Sequence, residues 1–582
     1  MNMSVTGYAS PARRPLQIFA FDPMIARTER RRLTLEIANE PLSKGPLGAR
    51  IQVIDYDGVT GKLYEPVDLD HPAVLMNDGL SPTESDPRFH QQMVYAVTMK
   101  TLENFEIALG RKLRFYRGRP LRLFPHAFIG PNAFYDPESV SILFGYFEAD
   151  RDDPGPNLPG QTVFSCLSHD IIAHEVTHAL VHRLRPSFTD ATNRDVLAFH
   201  EGFSDIVAIF QHFSFRDVLT DTIQKTRTDL RSYEPLIQLA QQFGYAAGLG
   251  RSLRSALGPD DDGKPDPKLY RTLLEPHDRG SLMVEAVFDA FFATYQRRIR
   301  DLIRIATGGS GVLPAGDLHP DLVNRIAKEA SKSAQNVLTM CIRAFEYLPP
   351  VDVTFGDFLR ALVTADYEAV PEDEAGIRAA MVEAFRLRGI YPEGATSLAE
   401  DALLWPRAKD LKLSLEAYNQ TLGDTVVAYD RWGKTSEVRD EINRRWAVEL
   451  TTWAKKNAAA LELDAEMLRL AGFHTVFRFS PGGQLIVELV AQFQQEDPAT
   501  KGDADYGGVA FKSGATIIAG ADGAVRYVIS KPPSNDRRER QKECVSDLDR
   551  TDFALTWTDD QTYEPARMKA RTSFAALHRG VR

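Results

Sequence analysis

Two histidines four residues apart, with a glutamate directly after the first, occur in the run His174-Glu175-Val176-Thr177-His178. Residues four apart lie on one face of a helix, one turn from each other. Two imidazoles placed this way reach a single Zn²⁺ at about 2.0–2.1 Å. Glu175 falls beside them, where a carboxylate can draw a proton from water at the metal. Further along, in VLAFHEGFSDIVAIFQHF, come Glu201 and then Asp205, again one helical turn apart. A second helix packed beside the first would bring in Glu201 as a third ligand. It would also set Asp205 behind the site, accepting a hydrogen bond from a ligand imidazole and fixing its tautomer. Two histidines and a glutamate leave a fourth position open for solvent, the pattern of a catalytic site and not of a closed structural one.

These residues need helices to hold them, and the surrounding pattern supplies them. SHDIIAHEVTHALVHRL reads as a helix ending near Pro186. Apolar periodicity predicts further helices over about 89–110, 196–214, 280–304, 319–346, 355–366 and 374–388, with Gly110 as a C-cap. From Ile51 the pattern is strand-like in IQVIDYDG and GKLYEPVDLD, and β-rich sequence returns in LRLFPHAFIGPNAFYDPESVSILFGYF. Loops are expected at 148–162, 258–267 and 307–320. The chain therefore reads as α+β in four parts. Residues 1–50 form an N-terminal extension whose basic cluster, Arg27 to Arg32, is a solvated face. Residues 51–185 form a β-rich lobe ending in the zinc-binding helix. Residues 186–395 form a helical lobe, and 396–582 a C-terminal extension, helical and then antiparallel β. Trp432, Trp446 and Trp453 lie in the helical part of that extension. Two hairpins are expected in its β part, around Gly482–Gly483 and Asp522–Gly523.

At 582 residues the chain is too long for one core. Its 43% hydrophobic and 26% charged residues are those of a folded globular protein. No apolar run approaches the ~20 residues that span a bilayer, and residues 1–20 show no secretory h-region. A net charge of −11 argues against nucleic acid as the main partner. Cys166, Cys341 and Cys544, an odd set at wide spacing, build no disulfide framework. Together these suggest a cytoplasmic protein with no membrane partner; the oligomeric state is not readable.

Several segments in order resemble the thermolysin-like zinc peptidases, the glutamate-ligand branch of the zincins: PNAFYDPESVSILFGYF, DIIAHEVTHAL, HEGFSD, GRSLRSALGPDDDG, EPHDRGSLMVEAVFDAF, FLRALVTADYEAV and GIRAAMVEAFRLRGI. The resemblance covers roughly residues 51–391. It implies a two-lobed catalytic unit with one zinc ion between a β-rich and a helical lobe. It implies His174, His178 and Glu201 as ligands, and Glu175 as general base and then acid in peptide-bond hydrolysis. It also implies His277 as the histidine that meets the transition state, Arg254 as a contact to a substrate carbonyl, and Asn132 and Ala133 as the edge that pairs with an extended peptide.

The sequence departs from the family in three places. No tyrosine lies in 179–200, where the family places one that meets the oxyanion; Phe188 is nearby instead. His200 precedes Glu201 where asparagine is common, and packing is its simpler reading. His212 stands where the family's calcium site expects an acid. Calcium takes six to eight hard oxygen ligands, so calcium is unlikely and Asp170 reads as a first-turn acid facing the helix dipole. The Asp260-Asp261-Asp262-Gly263 run reads as an exposed turn. The expected function is endopeptidase action on peptides or proteins. The alternatives are an aminopeptidase, whose Gly-x-Met-Glu-Asn motif is missing, and a non-catalytic peptide-binding relative, against which Glu175 speaks. Restraint by the tail or by the 148–162 loop is also expected.

Overall fold

The structure is a computed structural model, and it describes residues 11–24, 32–152, 154, 157–213, 215–232, 238–239, 254–255, 265–413, 436–479, 485–548 and 574. The mixed α+β class expected from the sequence is what it shows. The 1–50 segment is more than an appendage. Its strands β1 (Arg13–Phe19) and β2 (Arg32–Ala38) pair antiparallel, and Leu16, Ile18, Leu35 and Ile37 enter the main core. Alternation had hidden this, because a hairpin with one buried face leaves every second residue polar. Residues 25–31, which hold most of the basic cluster, lie outside the described residues.

Strands β3 (Ile51–Val53), β4 (Leu121–Ile129), β5 (Ala133–Asp136), β6 (Ser141–Glu148) and β7 (Thr162–Phe164) form one mixed sheet. Its path runs β3-β4-β6-β5, with β7 also paired to β6. β5 is an edge, antiparallel to β6 with Ala133 opposite Phe144. Helix α1 (Pro87–Leu109) backs this sheet. The Asp86 side chain accepts from Arg88 N at its start, and Gly110 closes it at φ 66°. A Cβ on Gly110 would lie 2.0 Å from Phe477 O, so both the left-handed turn and the close approach demand glycine.

Beyond the sheet the chain is helical: α2 (His169–Leu184), α3 (Arg194–Phe213), α4 (Pro276–Ala306), α5 (Pro320–Arg343), α6 (Phe355–Ala369) and α7 (Ile377–Leu387). Nearly every residue of α2 and α3 is buried, so these two form the centre around which the others pack. α4 begins at Pro276, with the Glu275 carboxylate accepting from Asp278 N. α6 opens with a reciprocal cap between Thr354 and Asp357. α4 starts four residues earlier than periodicity indicated, which places His277 in its first turn.

The C-terminal extension carries helix α8 (Ser436–Lys456), a four-stranded antiparallel sheet β8 (Arg469–Phe479), β9 (Leu485–Glu496), β10 (Lys512–Gly520) and β11 (Val525–Lys531), and helix α9 (Asn535–Leu548). β8 pairs with β9 and β10 with β11, as the two hairpins required, although the Gly482–Gly483 turn lies outside the described residues. Strand alternation splits the sheet in two. Leu489, Ala491, Phe493, Ala515 and Ile517 meet Trp446 and Leu450 of α8, while Val476, Val490, Ile518, Tyr527 and Ile529 join the main core. Buried polar bonds stitch the seam: Arg537 Nε donates to Asp352 at 2.6 Å and Thr516 Oγ1 to Leu348 O at 2.8 Å. Among the described residues no helix is long and apolar enough to cross a membrane, and the three cysteines are buried and free.

Candidate metal centre

α2 and α3 run side by side, and the residues singled out from spacing meet where they face each other. His174 Nε2 lies 3.2 Å from Glu201 Oε2, and His178 Nε2 lies 3.5 Å from Glu201 Oε1. All three side chains are buried. Two imidazole nitrogens thus converge on the two oxygens of one carboxylate. As expected, Asp205 stands behind, with Oδ1 2.8 Å from His174 Nδ1. This bond puts the hydrogen on Nδ1 and leaves the Nε2 lone pair toward Glu201.

His178 has the same kind of support from a residue read from sequence as packing. Its Nδ1 lies 3.0 Å from His200 Nδ1 and 3.2 Å from Ser204 Oγ. Burial lowers the pKa of His200 to about 3. His200 is therefore neutral and can accept a hydrogen from His178 Nδ1, which frees His178 Nε2 as a donor of electrons. The signal was present in the sequence. The antiparallel register that sets His174 opposite Asp205 sets the residue one turn later opposite a residue about one turn earlier, and that residue is His200.

Glu175, adjacent to the first imidazole, is held by the sheet: Tyr135 N donates to its Oε2 at 2.9 Å. Tyr135 belongs to edge strand β5, which starts at Ala133. Asn132 is buried just before it, and its carbonyl accepts from Gly145 N at 2.9 Å. β5 thus takes in Ala133 but not Asn132, and it points the Tyr135 N–H at Glu175. Sequence reasoning missed Tyr135, whose hydroxyl also meets His182 Nδ1 at 2.9 Å, because its contribution is a main-chain N–H that any residue could make.

His277 arrives from the first turn of α4. Its Nε2 lies 3.1 Å from Glu201 Oε2 and its Nδ1 2.8 Å from Glu275 Oε1. Burial alone would lower its pKa, but Glu201 and Glu275 outweigh burial and push it up to about 9. α4 is carried to this place by two contacts with α3. Arg279 Nε donates to buried Asp195 at 2.7 Å, and Gly280 lies directly against Gly202, the residue after Glu201. Arg254 lies in a two-residue strand, Arg254–Ser255, paired with Gln238–Leu239. Its side chain is outside the described residues, as is the Asp260-Asp261-Asp262-Gly263 run.

Two aromatic side chains complete the surroundings. Phe188 is buried against Phe199, with ring centroids 5.7 Å apart, and lies within the helical core. It does not stand in for the missing tyrosine. Phe574 is also buried, and its ring lies 4.4 Å from that of His178 at 31°, with His200 at 5.0 Å and Tyr135 at 6.0 Å. Nothing in the sequence marked Phe574, since a lone aromatic in a charged tail carries no periodicity.

The donor set fits a zinc-type ion. Two imidazoles and one carboxylate, each with its far side held by a hydrogen-bonding partner or by the fold, are the nitrogen and oxygen ligands such an ion takes. No protein-family model matches the chain, and no curated protein matches it.

Proposed function

We propose that this chain is a zinc-dependent endopeptidase of the thermolysin-like kind, with a β-rich lobe and a helical lobe meeting at α2 and α3. The observation that carries the reading is the convergence of His174, His178 and Glu201 from two neighbouring helices, with Glu175 and His277 at its rim. His174, His178 and Glu201 would hold the ion. When bound, zinc lowers the pKa of water toward ~7 and polarises a carbonyl.

The remaining chemistry belongs to the side chains. An extended peptide lies along the edge strand that begins at Asn132 and Ala133, where main-chain pairing accepts many sequences alike. Arg254 binds a substrate carbonyl. Glu175 takes a proton from the attacking water and returns it to the leaving amine. The bond from Tyr135 N holds one oxygen of Glu175 in place. His277, held by Glu275 on Nδ1, turns Nε2 to the centre and in its protonated form offers an N–H to the oxygen that gains charge. With no tyrosine in 179–200 to share this work, His277 stands as the principal donor. Removing one such donor typically costs ~10²–10³ in kcat.

The test is a Glu175→Gln variant beside the native chain. Gln keeps an acceptor for Tyr135 N and so keeps the fold. Zinc content is measured, and a mixed peptide library is digested, with new termini read by mass spectrometry. The expected result is equal zinc, internal cleavage by the native chain, and a loss of at least ~10²-fold in the variant. A zinc-loaded native chain that cuts nothing, or a variant that cuts as well as native, overturns the reading.

A further inference from the structure

The same pair of helices brings together a second cluster, about one to one and a half turns before His174 on α2 and about three turns after Glu201 on α3. His169 and Asp170 open α2, and His212 lies in the last turn of α3. Asp170 Oδ1 lies 2.9 Å from His212 Nε2 and 4.0 Å from His169 Nδ1, and the two imidazole rings are 4.5 Å apart. One donor atom from each residue falls within 4.8 Å of the other two. His169 and His212 are 0% and 1% exposed.

Two features set this apart from an ordinary buried ion pair. Among the described residues, neither His169 Nδ1 nor His212 Nε2 has a hydrogen-bond partner; the close approach of His212 to Asp170 is not aligned as donor to acceptor. Leaving such nitrogens unpaired in a dry interior is unfavourable. The far side of His169 is also supported: its Nε2 meets the Gln211 side-chain amide at 3.2 Å, and Gln211 in turn meets Asn104 at 2.9 Å. This is the kind of backing that orients an imidazole ligand. With a cation on Nδ1, Nε2 carries the hydrogen, and the Gln211 and Asn104 amides turn together so that the Gln211 oxygen faces His169 and its NH2 donates to the Asn104 oxygen.

We infer that His169, Asp170 and His212 form a second cation site, selective for a borderline divalent transition ion such as Zn²⁺. Two imidazoles with one carboxylate suit such an ion and not calcium, which seeks an all-oxygen shell. The ion would staple the start of α2 to the end of α3. Asp170 is the first-turn acid expected from the sequence, and it is also a buried member of this donor cluster. The inference does not depend on the catalytic reading, because it uses none of the same ligands.

The experiment strips the full-length chain with chelator, reloads it with Zn²⁺ or Ca²⁺, desalts it, and counts ions per chain. Zinc-edge anomalous diffraction then locates them. Two zinc ions are expected in the native chain, one in His212→Leu and one in Glu201→Ala, with calcium retained at neither cluster. His169→Phe, which fills the same space, serves if His212→Leu fails to fold. A native chain that holds a single zinc, lost in Glu201→Ala and kept in His212→Leu, overturns the inference, as does calcium at these residues. A single zinc with the opposite pattern would uphold this site and sink the catalytic one instead.

Discussion

Gly280→Ala tests whether the approach of α4 to α3 positions His277. A Cβ at Gly280 would lie 2.8 Å from Ala198 O, 3.0 Å from Gly202 N and 3.3 Å from Gly202 Cα. All three are backbone atoms, so no side chain can rotate out of the way. Restoring ordinary contact at about 3.4 Å moves the helices apart by roughly 0.6 Å, and overpacking of this kind costs about 1–3 kcal/mol. His277 sits one turn before Gly280, so its 3.1 Å approach to Glu201 lengthens with the crossing. A displacement of 1 Å at a catalytic group can cost ~10²-fold, so a fall of roughly ten- to a hundredfold in kcat is expected. Zinc content should not change, because His174, His178, Glu201 and Asp205 all lie on α2 and α3. The assay pairs kcat on a peptide found by the library screen with zinc per chain and Tm, using Ser281→Ala as the control that leaves the crossing alone. Unchanged kcat and Tm would refute the positioning argument. Loss of zinc together with activity would show that the helix pair itself had been disturbed.

Other outcomes follow from the same geometry. His200→Leu removes the nearer of the two groups at His178 Nδ1, leaving Ser204 Oγ, and should weaken zinc about 10–100-fold, with His200→Asn restoring most of it; competition with a chelating dye reads this. Phe574 covers His178 and His200, so Phe574→Ala should raise peptide turnover if the tail restrains the site, and unchanged turnover would mean the ring only fills space. His474 Nε2 meets Glu346 Oε2 at 2.6 Å across the seam to the extension, and burial, reinforced by Arg111, lowers its pKa to about 4 despite Glu346. The unfolded chain then binds more protons than the folded one between about pH 4 and 6.5. Stability therefore rises with pH through that window and is lost on acidification, by about 3–4 kcal/mol at most for this group. Thermal melts from pH 7 to 4 should show the fall, and His474→Gln should flatten part of it.

The helices were legible wherever periodicity was long, and the spacing of His174, His178, Glu201 and Asp205 was legible as a set that two neighbouring helices bring together. Three kinds of information were not legible. Main-chain contributions such as Tyr135 N leave no mark in residue type. Contacts between distant segments, such as Phe574 on His178 or Gly280 on Gly202, depend on how elements are brought together and not on local pattern. The His169, Asp170 and His212 cluster was visible only as a departure from an expected acid, and it acquired meaning when burial and the missing hydrogen bonds were added. The N-terminal hairpin was passed over because its basic residues drew more notice than the alternating Leu16, Ile18, Leu35 and Ile37.

The sheet of the C-terminal extension uses one face to finish the central core and the other to seat α8. A version of this protein cut near residue 395 would bare the carboxylate of Glu346, the ring of Tyr347 and the cap at Gly110, all built to be covered. The two halves should therefore melt together and resist being separated by protease. Any shorter relative would have to rewrite those three positions, so they are where divergence between the lineages should be sought.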